Sequence, residues 1–160
     1  MKDKYLRETR MVDFSNPAIQ KLIQNMKWKE MGEFERIKAI YSYVRDDILF
    51  GYNIDDGISA SKVLADGYGQ CNTKGTLFMA LLRACNIPCR VHGFTIDKRL
   101  QKGAMTGFVY RNAPKSIFHS WVEINFENQW YKLEAFILDK TYIKKLQEQN
   151  SECTGAFCGY

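Results

Sequence analysis

Residues 67–75 read Gly67-Tyr68-Gly69-Gln70-Cys71-Asn72-Thr73-Lys74-Gly75. An apolar run at helical spacing, with Leu77, Phe78 and Leu81, follows this glycine-rich approach at once. The pattern predicts that Cys71 begins a helix. Because backbone N–H groups and the positive end of the helix dipole stabilise an anion at that position, we expect the Cys71 thiol to be biased toward thiolate.

Two residues further along the chain carry the groups that a reactive thiol needs. His119 lies in an alternating, strand-like segment, Ile117–Ile124, and Glu134 ends the next such segment. A nucleophile, a base and a carboxylate that orients the base are the parts of a thiol acyl-transfer site. The sequence therefore predicts that Cys71, His119 and Glu134 act together.

Four motifs between about residues 50 and 140 are specific in combination: Tyr68–Cys71, Ala80–Val91, His119–Glu123 and Trp130–Glu134. Together they resemble the transglutaminase-like superfamily of papain-like cysteine enzymes. The resemblance implies an α+β fold in which the nucleophile helix packs on an antiparallel sheet. It also implies that Cys71 is the nucleophile, His119 the base and Glu134 the orienting carboxylate, where the family usually has aspartate. Asp139 is the alternative for that last role.

The surroundings of these groups follow from the same resemblance. The backbone N–H of Cys71 is one donor for a developing oxyanion, and the family often takes a second from an upstream aromatic or amide side chain. Tyr52 is the candidate here, with Gln70 behind it. Trp121, two residues from His119 on the same strand face, is expected to pack beside the base and shield it from water.

Two other polar residues compete for roles near the site. His92 lies in the strand after the nucleophile helix and matches no catalytic position of the family, so we expect a structural position or one at the edge of the site. Glu123 is four residues from His119 on the same strand face. It is either a surface group or a support for the site.

Composition narrows the class of protein. The chain has 160 residues, 46% of them hydrophobic, which predicts a single domain over residues 1–160 with its core at about 33–149. The net charge of +5 is spread along the chain and argues against nucleic-acid binding. No stretch could span a bilayer and no export signal is evident, so we expect a cytoplasmic protein with no membrane partner. Because the end of the sequence lacks a closing helix, we expect a longer natural chain.

The five cysteines are expected to be reduced in that compartment. Cys85 and Cys89 have the spacing C-x3-C, and Cys153 and Cys158 have C-x4-C, which a zinc site would tolerate. Core packing is the better interpretation of the first pair, because Cys85 ends an apolar helix and Cys89 opens a strand. We expect no metal and no cofactor.

The expected order of elements is helices first and an antiparallel sheet afterwards. Helices are predicted from Pro17, from Glu33 to Gly51, at Ser61–Ala65, from Cys71 to about Cys85 and at Lys140–Gln149. Strands are predicted at Cys89–Ile96, Met105–Arg111, Ile117–Phe126 and Gln129–Glu134, with Glu127-Asn128 as a tight turn.

With the resemblance, these residues predict thiol-dependent acyl transfer on an amide or peptide carbonyl through a thioester. Water would resolve the thioester in a protease or amidase, and an amine would resolve it in a transamidase. We expect a peptide, a protein or a small amide as substrate, and hydrolysis over crosslinking. The alternative is a non-catalytic domain of the same fold that binds a peptide or protein partner.

Overall fold

The computed structural model describes residues 3–101 and 107–149. This part of the chain contains the helices α1 (Pro17–Asn25), α2 (Glu33–Asp46), α3 (Ala60–Asp66), α4 (Cys71–Ala84), α5 (Gly107–Asn112) and α6 (Lys140–Gln149). Its strands are β1 (Leu49–Phe50), β2 (Tyr68–Gly69), β3 (Cys89–Asp97), β4 (Ser116–Phe126) and β5 (Gln129–Leu133). Short 3₁₀ helices lie at Asp3–Tyr5, Trp28–Glu30 and Lys98–Gln101.

Helix α4 lies at the centre of the fold. Every residue from Thr73 to Leu82 is buried, as expected of a helix that is covered on all sides. Helices α1, α2 and α3 pack around it, and β3 and β4 cover another side. Gly75 faces the sheet so closely that a Cβ there would already contact Val122 Cγ2, at 3.6 Å. The start of α4 is therefore held next to β4.

The larger sheet has the antiparallel order β3-β4-β5. Its register pairs Phe94 of β3 with His119 of β4. Glu127 and Asn128 join β4 to β5 with φ values of 49° and 64°. Two positive φ values are the mark of a type I′ hairpin turn. The predicted tight turn is confirmed, and β5 runs back along β4 toward His119.

Strands β1 and β2 form a second, parallel pair that the sequence analysis does not anticipate. Leu49 pairs with Tyr68, and Phe50 pairs with Gly69. The helix predicted from Glu33 to Gly51 therefore ends early, at Asp46. Its last residues leave the helical path because residues 49–50 hydrogen-bond to the segment that leads into α4.

One segment between β3 and β4 also differs from the prediction. The expectation of an extended Met105–Arg111 is wrong for residues 107–111, which belong to α5. Seven residues make too short a run to show a clear period, so helix and strand are hard to separate from sequence there. Residues 102–106 lie outside the described part of the chain.

The remaining layout agrees with the sequence analysis. The α+β architecture is confirmed, and so are the helices that begin at Pro17, Cys71 and Lys140. The predicted turn of helix at Ser61–Ala65 is present as α3. Within residues 3–101 and 107–149, no helix is both long and apolar enough to cross a membrane.

Candidate active site

Cys71 is the first residue of α4, as predicted. The Gln70 backbone N–H donates to Thr73 Oγ1 over 3.0 Å, which fixes the chain as it enters the helix. Gly69 is required by this turn, because a Cβ there would lie 2.6 Å from Thr73 Oγ1 and 3.0 Å from Lys74 Cγ. The strand β2 and this cap together present the thiol at the N-terminal end of a buried helix.

His119 and Glu134 meet on the sheet. His119 Nε2 lies 2.7 Å from Glu134 Oε1, and the two side chains are 8% and 40% exposed, respectively. Because a carboxylate only accepts hydrogen bonds, Nε2 carries the proton and Nδ1 is the acceptor nitrogen of the neutral ring. The carboxylate therefore holds the imidazole in the tautomer in which Nδ1 can take a proton.

The thiol lies against the strand that carries His119. The backbone N–H of Ser120, the residue after His119, acts as a hydrogen-bond donor to the Cys71 sulfur. Among the described residues, no hydrogen bond joins that sulfur to His119 itself. The three predicted catalytic residues thus occupy neighbouring elements, and the structure bonds His119 to Glu134 directly.

The thiol is not in the state that its helix position predicts. Burial raises the pKa of the Cys71 thiol to about 11, and the charge of Asp56 adds to this rise. The backbone N–H groups of Asn72, Ser120 and Cys71 act in the opposite direction. The expected bias toward thiolate is therefore wrong for the free site, because loss of solvation outweighs the stabilisation by the helix-terminal N–H groups.

Polar side chains around Cys71 form a hydrogen-bonded chain that the sequence analysis misses. Asp56 Oδ1 accepts from Gln70 Nε2 at 2.5 Å, and Asp56 Oδ2 accepts from Asn72 Nδ2 at 2.7 Å. Ser120 Oγ donates to Asn72 Oδ1 at 2.7 Å. The sequence positions next to Cys71 and His119 point to Asn72 and Ser120. Nothing local marks Asp56, because its partners are distant in the sequence.

The two candidates for a second oxyanion donor lie in different settings. Burial raises the pKa of the Tyr52 hydroxyl, and the charge of Cys71 adds to this rise. Gln70 is buried, with Oε1 accepting from the Asn53 N–H at 2.9 Å and Nε2 donating to Asp56. The Gln70 side chain is thus already engaged at both ends, which leaves Tyr52 as the candidate for the second donor.

Phe94 is the ring that contacts His119 in the described part of the chain. It meets the imidazole edge-on with centroids 5.2 Å apart, and it lies 4.5 Å from the Trp121 ring. Trp121 stacks on His92 at 4.6 Å and donates its indole N–H to Glu123 Oε1. Among the described residues, the ring contacts of Trp121 are with His92 and Phe94, and Phe94 takes the place beside His119 that was expected of Trp121. Phe94 is the partner of His119 in the β3–β4 register, which the sequence alone does not fix.

The carboxylates that compete with Glu134 have other partners. Glu123 is buried and accepts from Arg90 Nε at 2.6 Å. Asp139 accepts from two backbone N–H groups, one in β1 and one in α6, each at 2.8 Å. Asp139 therefore caps α6 and holds β1, and Glu134 is the carboxylate that lies on His119.

Lys74, one turn after Cys71, is a buried support of the site. Its ammonium donates to the backbone carbonyls of Arg45, Ile48 and Ile137 at 3.1, 2.7 and 2.8 Å. These carbonyls come from the end of α2, from the segment before β1 and from the segment after β5. One side chain therefore joins three parts of the chain behind the nucleophile.

The remaining cysteines bear on the zinc interpretation. Cys85 and Cys89 are free thiols buried in the core, which confirms the expectation of core packing. In residues 3–101 and 107–149, no group of His, Cys, Asp or Glu side chains is arranged to hold a metal ion. Cys153 and Cys158 lie outside these residues.

Comparison with known proteins bears on the fold and the family of the chain. Among solved structures, that of a candidate cysteine protease from Cytophaga hutchinsonii aligns with a TM-score of 0.64 and 21% identity over 87% of this chain. The alignment covers 43% of that protein, so this chain spans less than half of its length, and at this identity the similarity shows a shared fold. Comparison with curated proteins gives no match. The family model of the transglutaminase-like superfamily matches residues 20–135, most of the chain, and the chain therefore belongs to that superfamily.

Proposed function

We propose that the protein catalyses thiol-dependent acyl transfer on an amide or peptide carbonyl, with Cys71 as nucleophile. His119 acts as the base and then as the acid, and Glu134 orients its ring. The observation that carries the proposal is the 2.7 Å bond between His119 Nε2 and Glu134 Oε1. It prepares Nδ1 to accept a proton beside Ser120, whose backbone N–H acts on the Cys71 sulfur.

The reaction begins with a neutral thiol, because the Cys71 pKa is raised. As the sulfur attacks the carbonyl carbon, the S–H proton passes to His119 Nδ1 and a C–S bond forms. The backbone N–H of Cys71, with the Tyr52 hydroxyl as second donor, stabilises the negative oxygen. His119 then gives its proton to the leaving nitrogen, the C–N bond breaks and a thioester remains.

Water resolves the thioester in the reaction that we favour. The Glu134 side chain is 40% exposed and Tyr52 is also half-exposed, so solvent reaches the edge of the His119–Glu134 pair. A site that selected an amine over water would have to exclude water. We therefore infer hydrolysis, with a carboxylic acid as product and His119 as the base that activates the water.

A second candidate function has two observations among the described residues in its favour. The Cys71 pKa of about 11 and the missing hydrogen bond to His119 would suit a domain of this fold that binds a peptide without cleaving it. Such a protein would bind peptides without cleaving them, and its Cys71→Ala variant would still bind them.

Hydrolysis of a set of fluorogenic peptide amides separates the two functions. We expect turnover by the wild-type protein, loss of turnover in Cys71→Ala and a fall of about 10²-fold or more in His119→Gln. The matched control is His92→Gln, which changes the other histidine and should retain full activity. Turnover that persists in Cys71→Ala, or peptide binding without any cleavage, would contradict the proposal.

A further inference from the structure

Asp56 holds the two side chains that flank the nucleophile. One carboxylate oxygen accepts from Gln70 Nε2 at 2.5 Å, and the other accepts from Asn72 Nδ2 at 2.7 Å. Gln70 precedes Cys71 and Asn72 follows it. A single carboxylate in the loop before α3 therefore restrains both neighbours of the thiol.

The same hydrogen-bonded chain continues to the strand of the base. Asn72 Oδ1 accepts from Ser120 Oγ at 2.7 Å, and Ser120 follows His119 and is 3% exposed. No hydrogen bond joins Cys71 to His119 among the described residues. The hydrogen-bonded side chains of Gln70, Asp56, Asn72 and Ser120 thus link the start of α4, which carries Cys71, to β4, which carries His119.

The arrangement requires a carboxylate at this position. Gln70 and Asn72 both present N–H donors to it, so an acceptor is needed on each side. An asparagine would offer one oxygen and would turn its own N–H donors toward one of the partners. A negative charge beside a nucleophilic thiol opposes formation of the thiolate. Asp56 is therefore suited to holding the thiol in place, and it does not help the thiol to ionise.

We propose that Asp56 is a positioning residue of the active site, which holds the Cys71 side of the cleft against the His119 side through Asn72 and Ser120. The proposal rests on the proposed function of the site. On the surrounding elements, the titratable groups among the described residues include Tyr52, from the segment after β1, and the His119–Glu134 pair from the sheet. Asp56 acts through Asn72, whose Oδ1 accepts from Ser120 Oγ on the His119 side.

The test measures how strongly His119 influences Cys71, with iodoacetamide as the probe. Alkylation of Cys71 is followed by peptide mass spectrometry from about pH 6 to about pH 10, with and without His119→Ala. The ratio of the two rates is the coupling between base and thiol. It is measured in the wild-type, Asp56→Asn, Asn72→Ala and Asp55→Asn backgrounds. Asp55→Asn removes the same charge one residue away, where the carboxylate accepts from the Gly57 N–H.

We expect His119→Ala to slow alkylation of Cys71 at least about threefold in the wild-type and Asp55→Asn backgrounds. In the Asp56→Asn and Asn72→Ala backgrounds we expect it to have almost no effect. With His119 replaced, Asp56→Asn should also raise the alkylation rate near pH 8 by about threefold, because it removes an opposing charge. Asn72→Ala should leave that rate unchanged. Asp56 is exposed and Asn72 is partly exposed, so we expect all variants to fold, with thermal melting as the check.

The proposal would be overturned if the coupling were equal in all four backgrounds or absent in the wild-type protein. It would also be overturned if Asp55→Asn reduced the coupling as much as Asp56→Asn does. In the amide assay, Asp56→Asn should lower kcat by about tenfold with little change in KM. The alkylation ratios need no acyl substrate. A protein that cleaves no amide yet shows the expected ratios would therefore contradict the proposed function alone.

Discussion

Glu134 is one methylene longer than the aspartate usual at its position in the superfamily. It lies just past the end of β5, and its side chain reaches His119 Nε2 at 2.7 Å. A carboxylate there sets the tautomer of the ring, and in the proposed reaction it would stabilise the imidazolium. The added length is thus compatible with the orienting role.

Glu134→Gln tests the charge at this position separately from the hydrogen bond. The amide oxygen can still accept from Nε2, but it does not stabilise imidazolium, so we expect kcat for amide hydrolysis to fall by about 10²-fold with KM nearly unchanged. Glu134→Asp, which keeps the charge, should lose less than about tenfold. If the glutamine variant kept the wild-type kcat, the orienting role would be wrong.

The raised pKa of Cys71 gives a dependence of stability on pH. A folded-state pKa of about 11, against 9.0 for an ordinary thiol, means that the unfolded chain loses this proton first as pH rises. The stabilisation is complete below about pH 9 and is lost between about pH 9 and about pH 11. We expect the wild-type free energy of unfolding to fall relative to that of Cys71→Ala by about 2 kcal/mol across this window. Urea titrations at matched pH would show it, and a constant difference would contradict it.

At the scale of elements, the entry into α4 determines where the thiol lies. The parallel pairing of β2 with β1 and the contact of the Gln70 N–H with Thr73 Oγ1 fix this entry. Gly69 leaves no room for a side chain, since a Cβ would lie 2.6 Å from Thr73 Oγ1. The cap and the nucleophile are therefore coupled through one small residue.

Gly69→Ala should displace the Thr73 hydroxyl and weaken the start of α4. We expect a loss of about 1–3 kcal/mol in the free energy of unfolding, measured with urea, and a fall in kcat because Cys71 moves. Gly32→Ala is the control, because a Cβ there would meet nothing within 4 Å. Equal and small losses in both variants would show that the close approach at Gly69 is not restrictive.

The elements differed in how well sequence alone could predict them. The α4 helix, the β4–β5 hairpin and α6 were predictable because their periodicity, turn residues and capping positions are local. The early end of α2 could not be predicted, because the residues after it form β1 and pair with β2, a segment distant in the sequence. The short α5 could not be predicted either, since six residues are too few to show a period.

At the scale of the whole molecule, Lys74 joins segments that are distant in the chain. Its side chain is fully buried, and its ammonium donates to the carbonyls of Arg45 and Ile48, which precede β1, and to that of Ile137, which follows Glu134. Three buried acceptors would lose their donor together if it were removed. This junction connects the helices to the part of the chain that carries Glu134.

Lys74→Met keeps the length of the side chain and removes its donors. We expect a loss of about 2–4 kcal/mol in the free energy of unfolding, because buried carbonyls are left without partners. Lys62→Met is the control, since Lys62 is 60% exposed and pairs with Asp66 at the surface; it should lose less than about 1 kcal/mol. Chemical unfolding of the two variants side by side would measure both losses of free energy. Equal losses would contradict the structural role of Lys74.

The candidate site could be predicted in part, for a physical reason. Cys71, His119 and Glu134 stand in motifs of local sequence, and their types indicate their chemistry. Asp56 and Phe94 belong to the site through contacts between segments that only the fold brings together. The state of the Cys71 thiol was mispredicted because the helix position is visible in the sequence, whereas burial is a property of the folded molecule.

The central claim is that Cys71 forms a thioester with the help of His119, and trapping an acyl group on the protein tests it most directly. The protein would be mixed with p-nitrophenyl acetate, quenched in acid and mapped by peptide mass spectrometry, alongside His119→Ala. The account predicts an acetyl thioester on Cys71 that forms at least about tenfold more slowly in His119→Ala and decays in water. Absence of acetyl on Cys71, or an equal rate of formation without His119, would contradict it.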